Sequence, residues 1–285
     1  MAPESPLTTA HDLAGGLGRD AQAIVDCRFS LAAPERGEAE YLEGHIPGAV
    51  YAHLDRDLSG PMTGTNGRHP LPSLEHMAER FSAWGIDEAV RVVVYDDAGG
   101  QYAARLWWML RFLGHARVTL LDGGLPAWQA GPGELRARRE ERPRRDFTPR
   151  PRPDMTVGTA SLGQYLLVDA RAGERFRGET EPLDPVAGHI PGARNHPTST
   201  NLDEHGRFLR PEVLQSRFDD VLGKAPVESV VSYCGSGVTA CHNLLAMEVA
   251  GLHGARLYPG SWSEWCSDSR RGVETGSGAA EDSKG

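Results

Sequence analysis

Apolar residues fall in short runs separated by longer stretches with helical spacing. Val92-Val93-Val94-Tyr95, Tyr165-Leu166-Leu167-Val168 and Val230-Val231-Ser232-Tyr233 read as buried strands. Residues 211–222 read as a helix, and Pro211 suits its first turn. The stretch Val238 to Ala250 predicts a second helix, with Cys241, Leu244, Leu245 and Val249 on one face and Gly251 at its C-terminal cap. Arg256-Leu257-Tyr258 predicts a further short strand. Alternation of strands and helices implies α/β units, each a mainly parallel sheet flanked by helices. Open sheets of this kind hold their ligands at the carboxyl ends of strands.

The pattern occurs twice. Val25-Asp26-Cys27-Arg28 matches Val168-Asp169-Ala170-Arg171, and Gly44-His45-Ile46-Pro47-Gly48-Ala49 recurs identically at 188–193. Gly123-Gly124-Leu125-Pro126-Ala127-Trp128 answers Gly260-Ser261-Trp262-Ser263-Glu264-Trp265. The offset stays near about 140 residues, so the chain is a duplicated domain and not a solenoid. Domains are expected at 1–131 and 154–285. Between them, at 132–153, eight arginines fall from Arg136 to Arg152 among prolines, and this stretch reads as a solvated, extended linker. The final segment, Glu274 to Gly285, is small and polar and is expected to fray. His45 and His189 stand in both copies, which favours a structural role in a turn.

Composition narrows the function. With 285 residues, 39% hydrophobic and 24% charged, the chain suits a water-soluble globular protein. A net charge of −9 argues against general nucleic-acid binding, and the arginine-rich stretch has no aromatic platform. No apolar run is long enough to span a membrane, and no secretory signal opens the chain. Cys27, Cys234, Cys241 and Cys266 lack metal spacing, so no metal is expected and a reducing cytoplasm is the natural setting. No dinucleotide or phosphate-loop fingerprint appears, and no cofactor is expected.

The chemistry concentrates at Tyr233-Cys234-Gly235-Ser236-Gly237-Val238-Thr239-Ala240. A Cys at a strand end and a helix start faces unpaired N–H groups, which favour its thiolate. Gly235 and Gly237 are expected at positive φ, so that N–H groups converge on the sulfur, while Ser236 and Thr239 add hydroxyl donors. A cysteine phosphatase would need an Arg six residues after the Cys, and Ala240 stands there. In the first copy Asp96 takes the Cys position, so that copy should be catalytically silent.

Together the motifs, from about Ile24 to Trp265, resemble the tandem-domain rhodanese family of sulfurtransferases. The resemblance implies two rhodanese-like domains, an inactive first and a catalytic second, and a persulfide on Cys234. Cys-Gly-Ser-Gly-Val-Thr resembles the mercaptopyruvate version of the loop, with Gly235 and Ser236 in place of the two cations that suit thiosulfate. The family's substrate arginine matches Arg175. Arg171 is grouped with it for donor binding, together with Gly235, Gly237, Val238 and Thr239 of the loop, whereas Arg177 reads as a structural pair. The family's second substrate arginine is replaced by Asp184, which resembles thiosulfate-type members. The resemblance also implies a proton relay of Ser236, Asp55 and His69, with Asp55 and His69 alternatively only fixing loop geometry. The implied reaction carries sulfur from a small anionic donor, 3-mercaptopyruvate, to cyanide, a small thiol or a thioredoxin-like protein. A thiosulfate-preferring enzyme and a non-catalytic persulfide carrier are the rival readings.

Overall fold

The computed structural model describes residues 5–19 and 21–278. Met1–Glu4, Asp20 and Ala279–Gly285 lie outside the described residues, and with them most of the terminal segment expected to fray. The chain forms two compact units: one of residues 1–60, 71–152 and 204–208, the other of 61–70, 153–203 and 209–285. These divisions differ from 1–131, 132–153 and 154–285 in three places, one of them 204–208, which counts with the first unit. Residues 61–70 count with the second unit, although they precede it by some ninety positions (~90) in sequence.

The stretch 132–152 also belongs to the first unit instead of forming a free linker. Its backbone is pinned there: Arg138 and Arg145 donate to the carbonyls of Leu42 and Ser82, and Arg150 and Arg152 to those of Leu113 and Phe112. Its arginines meet acids of the same unit, Arg144 with Glu79, Arg145 with Asp87 and Arg150 with Glu88. Phe147 is buried against Phe81.

In the first unit five strands lie in the order β1, β5, β4, β2, β3, every pair parallel: β1 (Leu7–Thr8), β2 (Gln22–Asp26), β3 (Ala49–Tyr51), β4 (Arg91–Tyr95) and β5 (Val118–Leu121). Helices α1 (Ala10–Ala14), α2 (Arg36–Glu43), α3 (Leu54–Asp57), α4 (Leu74–Ala83), α5 (Ala103–Phe112) and α6 (Gly124–Ala130) join them. The central strand β4 is buried from Val92 to Tyr95, as continuous apolar runs require in a sheet covered on both faces.

The second unit has four parallel strands in the order β7, β6, β8, β9: β6 (Leu166–Asp169), β7 (Arg194–Asn195), β8 (Val230–Tyr233) and β9 (Arg256–Leu257). Its helices are α7 (Gly173–Phe176), α8 (Pro211–Leu222), α9 (Ala240–Val249) and α10 (Ser261–Trp265). The core gathers Leu167, Phe176, Ile190, Val231, Tyr233, Tyr258 and Trp262. Both units are α/β folds built on a parallel sheet with helices around it, as the sequence pattern implied.

Helix α9 departs from the expected single apolar face: every residue from Ala240 to Met247 is buried. It packs on β8, on α8 and on the turn at 198–201, which leaves no side for water. Its polar residues are accordingly partnered. Asn201 donates to Asn243 Oδ1 at 2.8 Å, and Asn243 donates to the His196 carbonyl at 2.8 Å. No helix among the described residues is long and apolar enough to cross a membrane.

Candidate active site

Strand β8 ends at Tyr233, and the next residue is Cys234. The chain then turns through 235–239 before α9 begins, so the sulfur sits at the carboxyl edge of the sheet and at a helix start. The Gly237 N–H donates to Cys234 Sγ at 3.1 Å. Gly237 has φ +78, and a Cβ there would stand 2.2 Å from the Pro259 carbonyl oxygen. Only glycine fits that position.

Gly235, expected at positive φ as well, is not in that region. Its lack of a side chain serves space instead: a Cβ would lie 2.9 Å from Arg68 Nη2 and 3.6–3.7 Å from the terminal nitrogens of Arg175. Thr239 caps α9 without a side-chain bond, and Val238 is buried with its carbonyl accepting from the Cys241 N–H.

The loop is held from behind by α10. Ser261 Oγ accepts the Cys234 N–H at 3.1 Å and donates to the Tyr258 carbonyl at 3.0 Å. Trp262 and Ser263 donate their N–H groups to the carbonyls of Cys234 and Gly235. Ser261 is fully buried and has φ +53, a strained conformation for a non-glycine residue that these bonds hold in place.

The loop 61–70 completes the site. Gly67, at φ +85, lies so close to Gly260 that a Cβ would meet its carbonyl oxygen at 2.8 Å. The Arg68 N–H donates to Ser263 Oγ at 3.0 Å. This docking brings His69 Nδ1 to 2.7 Å from Ser236 Oγ, and both residues are buried. Asp55 is exposed in the first turn of α3, in the first unit.

Four charged side chains meet beside Gly235. Arg175 grips Glu181 with Nε at 3.2 Å and Nη2 at 2.6 Å. Asp184 accepts from Arg175 Nη2 at 3.5 Å and from Arg68 Nη1. Glu181 also accepts the N–H groups of Leu183 and Asp184. Burial pushes the Glu181 carboxyl up, but the Arg175 hydrogen bond and those N–H groups outweigh it and hold it below its ordinary value. Sequence reasoning sought a second cation within the 181–185 segment and missed Arg68. Its neighbour His69 was the available signal.

Arg171 is a correction. It was expected to bind the donor, yet its side chain is buried and chelates Asp169 through Nε and Nη2, while Nη2 also donates to the Gly188 carbonyl at 2.7 Å. Arg28 does the same in the first unit, with Asp26 and the Gly44 carbonyl. An arrangement repeated where no cysteine loop exists is structural. His45 and His189 behave alike: each Nδ1 bonds a backbone carbonyl at 2.7 Å, of Tyr41 and of Phe176. Arg177 pairs with Glu179, as expected.

The other thiols are poor nucleophiles. Burial, with Asp26 beside it, pushes the Cys27 thiol far up, and burial, with Asp184 nearby, pushes Cys266 up to about 11. Cys241 is fully buried with its Sγ 3.4 Å from the Gly237 carbonyl oxygen.

The first unit has a ring of N–H donors of its own at the matching loop, built on a different sequence. Asp96 takes N–H bonds from Ala98, Gly100, Tyr102 and Ala103 at 2.8–2.9 Å. The carboxylate fills the position that sulfur occupies in the second unit. Among the described residues no group of three or more His, Cys, Asp or Glu side chains could hold a metal ion.

Known proteins match nearly the whole chain. The model of the rhodanese-like domain matches residues 9–131 and 159–268. A Pseudomonas aeruginosa protein named "Probable 3-mercaptopyruvate sulfurtransferase" is 49% identical over 278 residues, 95% of this chain and 98% of that one. A Mycobacterium tuberculosis relative, named "Putative thiosulfate sulfurtransferase SseB", is 42% identical over 278 residues, 95% of this chain and 97% of that one. The crystal structure of the 3-mercaptopyruvate sulfurtransferase of Escherichia coli superimposes with a TM-score of 0.78 at 32% identity, over 90% of this chain and 99% of that one.

Proposed function

The chain belongs to the rhodanese-like family of sulfurtransferases, and we propose that it moves sulfur from 3-mercaptopyruvate to a thiophilic acceptor through a persulfide on Cys234. The observation that carries the reading is the meeting of a cradled sulfur, a Ser–His pair and two arginines around one neutral loop.

The steps follow from these groups. Cys234 thiolate attacks the thiol sulfur of the donor, whose proton passes to the Ser236–His69 pair. A sulfur–sulfur bond forms, the donor's carbon–sulfur bond breaks, and its electron pair leaves on carbon as the enolate of pyruvate. The enolate takes a proton from the Ser236–His69 pair and departs as pyruvate. The Gly237 N–H and the start of α9 stabilise negative charge on the sulfur before and after transfer. An acceptor then attacks the outer sulfur; with cyanide the products are thiocyanate and the original thiolate. Small thiols and thioredoxin-like proteins are the other acceptors we propose. Asp55 enters the relay on the motif resemblance alone.

Arg68 Nη2 and Arg175 Nη1 face Gly235 and carry no hydrogen bond to another described residue. We assign them to the donor's carboxylate. Thiosulfate is the second reading, favoured by Asp184 and by the name of the M. tuberculosis relative. It is opposed by the absence of cations at 235 and 236.

Side-by-side kcat/KM with mercaptopyruvate and thiosulfate, cyanide being the acceptor, tests the proposal. Mercaptopyruvate should be the better donor. A large preference for thiosulfate overturns the donor assignment, and sulfur loading without turnover on either donor points to a carrier.

A further inference from the structure

The carboxylate of Asp184 stands where a second cation would have been expected, yet it does not face the loop as a free charge. Its side chain is only 3% exposed and lies between the guanidinium groups of Arg68 and Arg175. Glu181, equally buried, takes the other edge of Arg175 and also touches Arg171, whose own charge is matched by Asp169. Each positive charge in this cluster therefore has a negative partner. The two N–H edges left toward Gly235 offer hydrogen bonds without net charge.

A balanced site treats anions unequally. Hydrogen bonds to two guanidinium edges serve a single carboxylate well. A second negative charge on the donor finds no uncompensated cation, and it lies close to the Asp184 carboxylate, where repulsion scales with the donor's charge. Gly235 and Ser236 contribute no charge that would offset this. We propose that Asp184 is the donor-charge selector of this site: by neutralising Arg68 and Arg175 it admits a singly charged donor carboxylate and discriminates against a dianion. The inference rests on the reading of this site as a mercaptopyruvate site and deepens it. Asp184, which by resemblance pointed toward thiosulfate, becomes the residue that disfavours it.

The test is the ratio of kcat/KM for thiosulfate to that for mercaptopyruvate, measured on wild type and three variants. Asp184→Asn keeps the size of the side chain and leaves the cluster with one excess positive charge, so the ratio should rise on the order of tenfold or more. Asp184→Glu keeps the charge and should keep the ratio within a few-fold. Asp184→Asn combined with Arg68→Gln restores the charge balance and should bring the ratio back toward wild type, whatever the loss in absolute rate. An unmoved ratio in Asp184→Asn overturns the assignment, as does an equal rise in Asp184→Glu or a double variant no closer to wild type than Asp184→Asn. Wild type with no preference for mercaptopyruvate would instead sink the underlying functional reading. Far-ultraviolet circular dichroism and thermal melts on each variant identify any that fail to fold, and ratios from folded variants decide the question.

Discussion

His69 Nδ1 stands 2.7 Å from Ser236 Oγ, although 167 positions separate the two residues in the chain. Ser236 itself follows the cradled Cys234 by two positions in the loop. Loss of sulfur from mercaptopyruvate creates an enolate that needs a proton, whereas sulfite leaving thiosulfate does not. Ser236→Ala and His69→Asn should therefore lower kcat with mercaptopyruvate, on the order of 10²–10⁴-fold if the pair supplies general acid catalysis. Turnover of thiosulfate should change far less. Equal losses on both donors would show that the pair only shapes the loop.

Cys234→Ser should abolish transfer and leave the melting temperature close to wild type, since the change is one atom. Intact-mass measurement after donor treatment should find one added sulfur on wild type and none on the variant. A persulfide mapped to Cys27, Cys241 or Cys266 would contradict the assignment, and their burial argues against it.

Removing either donor-facing arginine should weaken binding more than chemistry. One charge-assisted contact is worth about 1.5–3 kcal/mol, so Arg175→Ala and Arg68→Ala should each raise KM for mercaptopyruvate roughly ten- to a hundredfold. Arg171→Ala should act differently. It strands the buried Asp169 carboxylate, and the readout is a fall in melting temperature.

Gly237→Ala should cost the loop its shape. The backbone at φ +78 is strained for any other residue by roughly 1–3 kcal/mol, and the added Cβ meets Pro259. Both stability and persulfide loading should fall. In the first unit Asp96→Ala strands four N–H groups, those of Gly100 and Ala103 buried and those of Ala98 and Tyr102 part-buried, and should cost about 2–3 kcal/mol. Urea unfolding measures both.

Acid should weaken the second unit through Glu181, whose carboxyl is held below its ordinary 4.5. A group with a depressed folded pKa contributes stability that is full above its unfolded value and is lost as pH falls through the folded one. The stability gap between wild type and Glu181→Gln should thus be widest near neutrality and should narrow below about pH 4.5. A gap that stays constant from neutrality to pH 3 would assign the difference to packing alone (~3 marks the acid end of the titration).

Much of this was legible in the chain itself, because it depends on neighbours in sequence. Strand β8, the Cys234 turn and helices α8 and α9 follow from apolar runs, glycines and, for α8, the Pro211 start signal, all of which act within a few residues. The duplication and the Asp at the Cys position of the first copy are visible by comparing one half with the other. Roles that depend on distant partners were not legible. Arg171 and Arg175 look alike in sequence, but a carboxylate two residues away captures the first while the second turns toward Gly235. The positive φ expected of Gly235 proved to be room for Arg68 instead. Arg68 and Asp184 lie 116 positions apart, and no local pattern says that they meet. Sequence by itself determined the elements, the repeat and the place of Cys234 between a strand end and a helix start, since these rest on short-range backbone and hydrophobic preferences. Tertiary structure alone decided which charges are cancelled and which guanidinium edges turn toward Gly235, because electrostatic pairing depends on distance in space and not on separation along the chain.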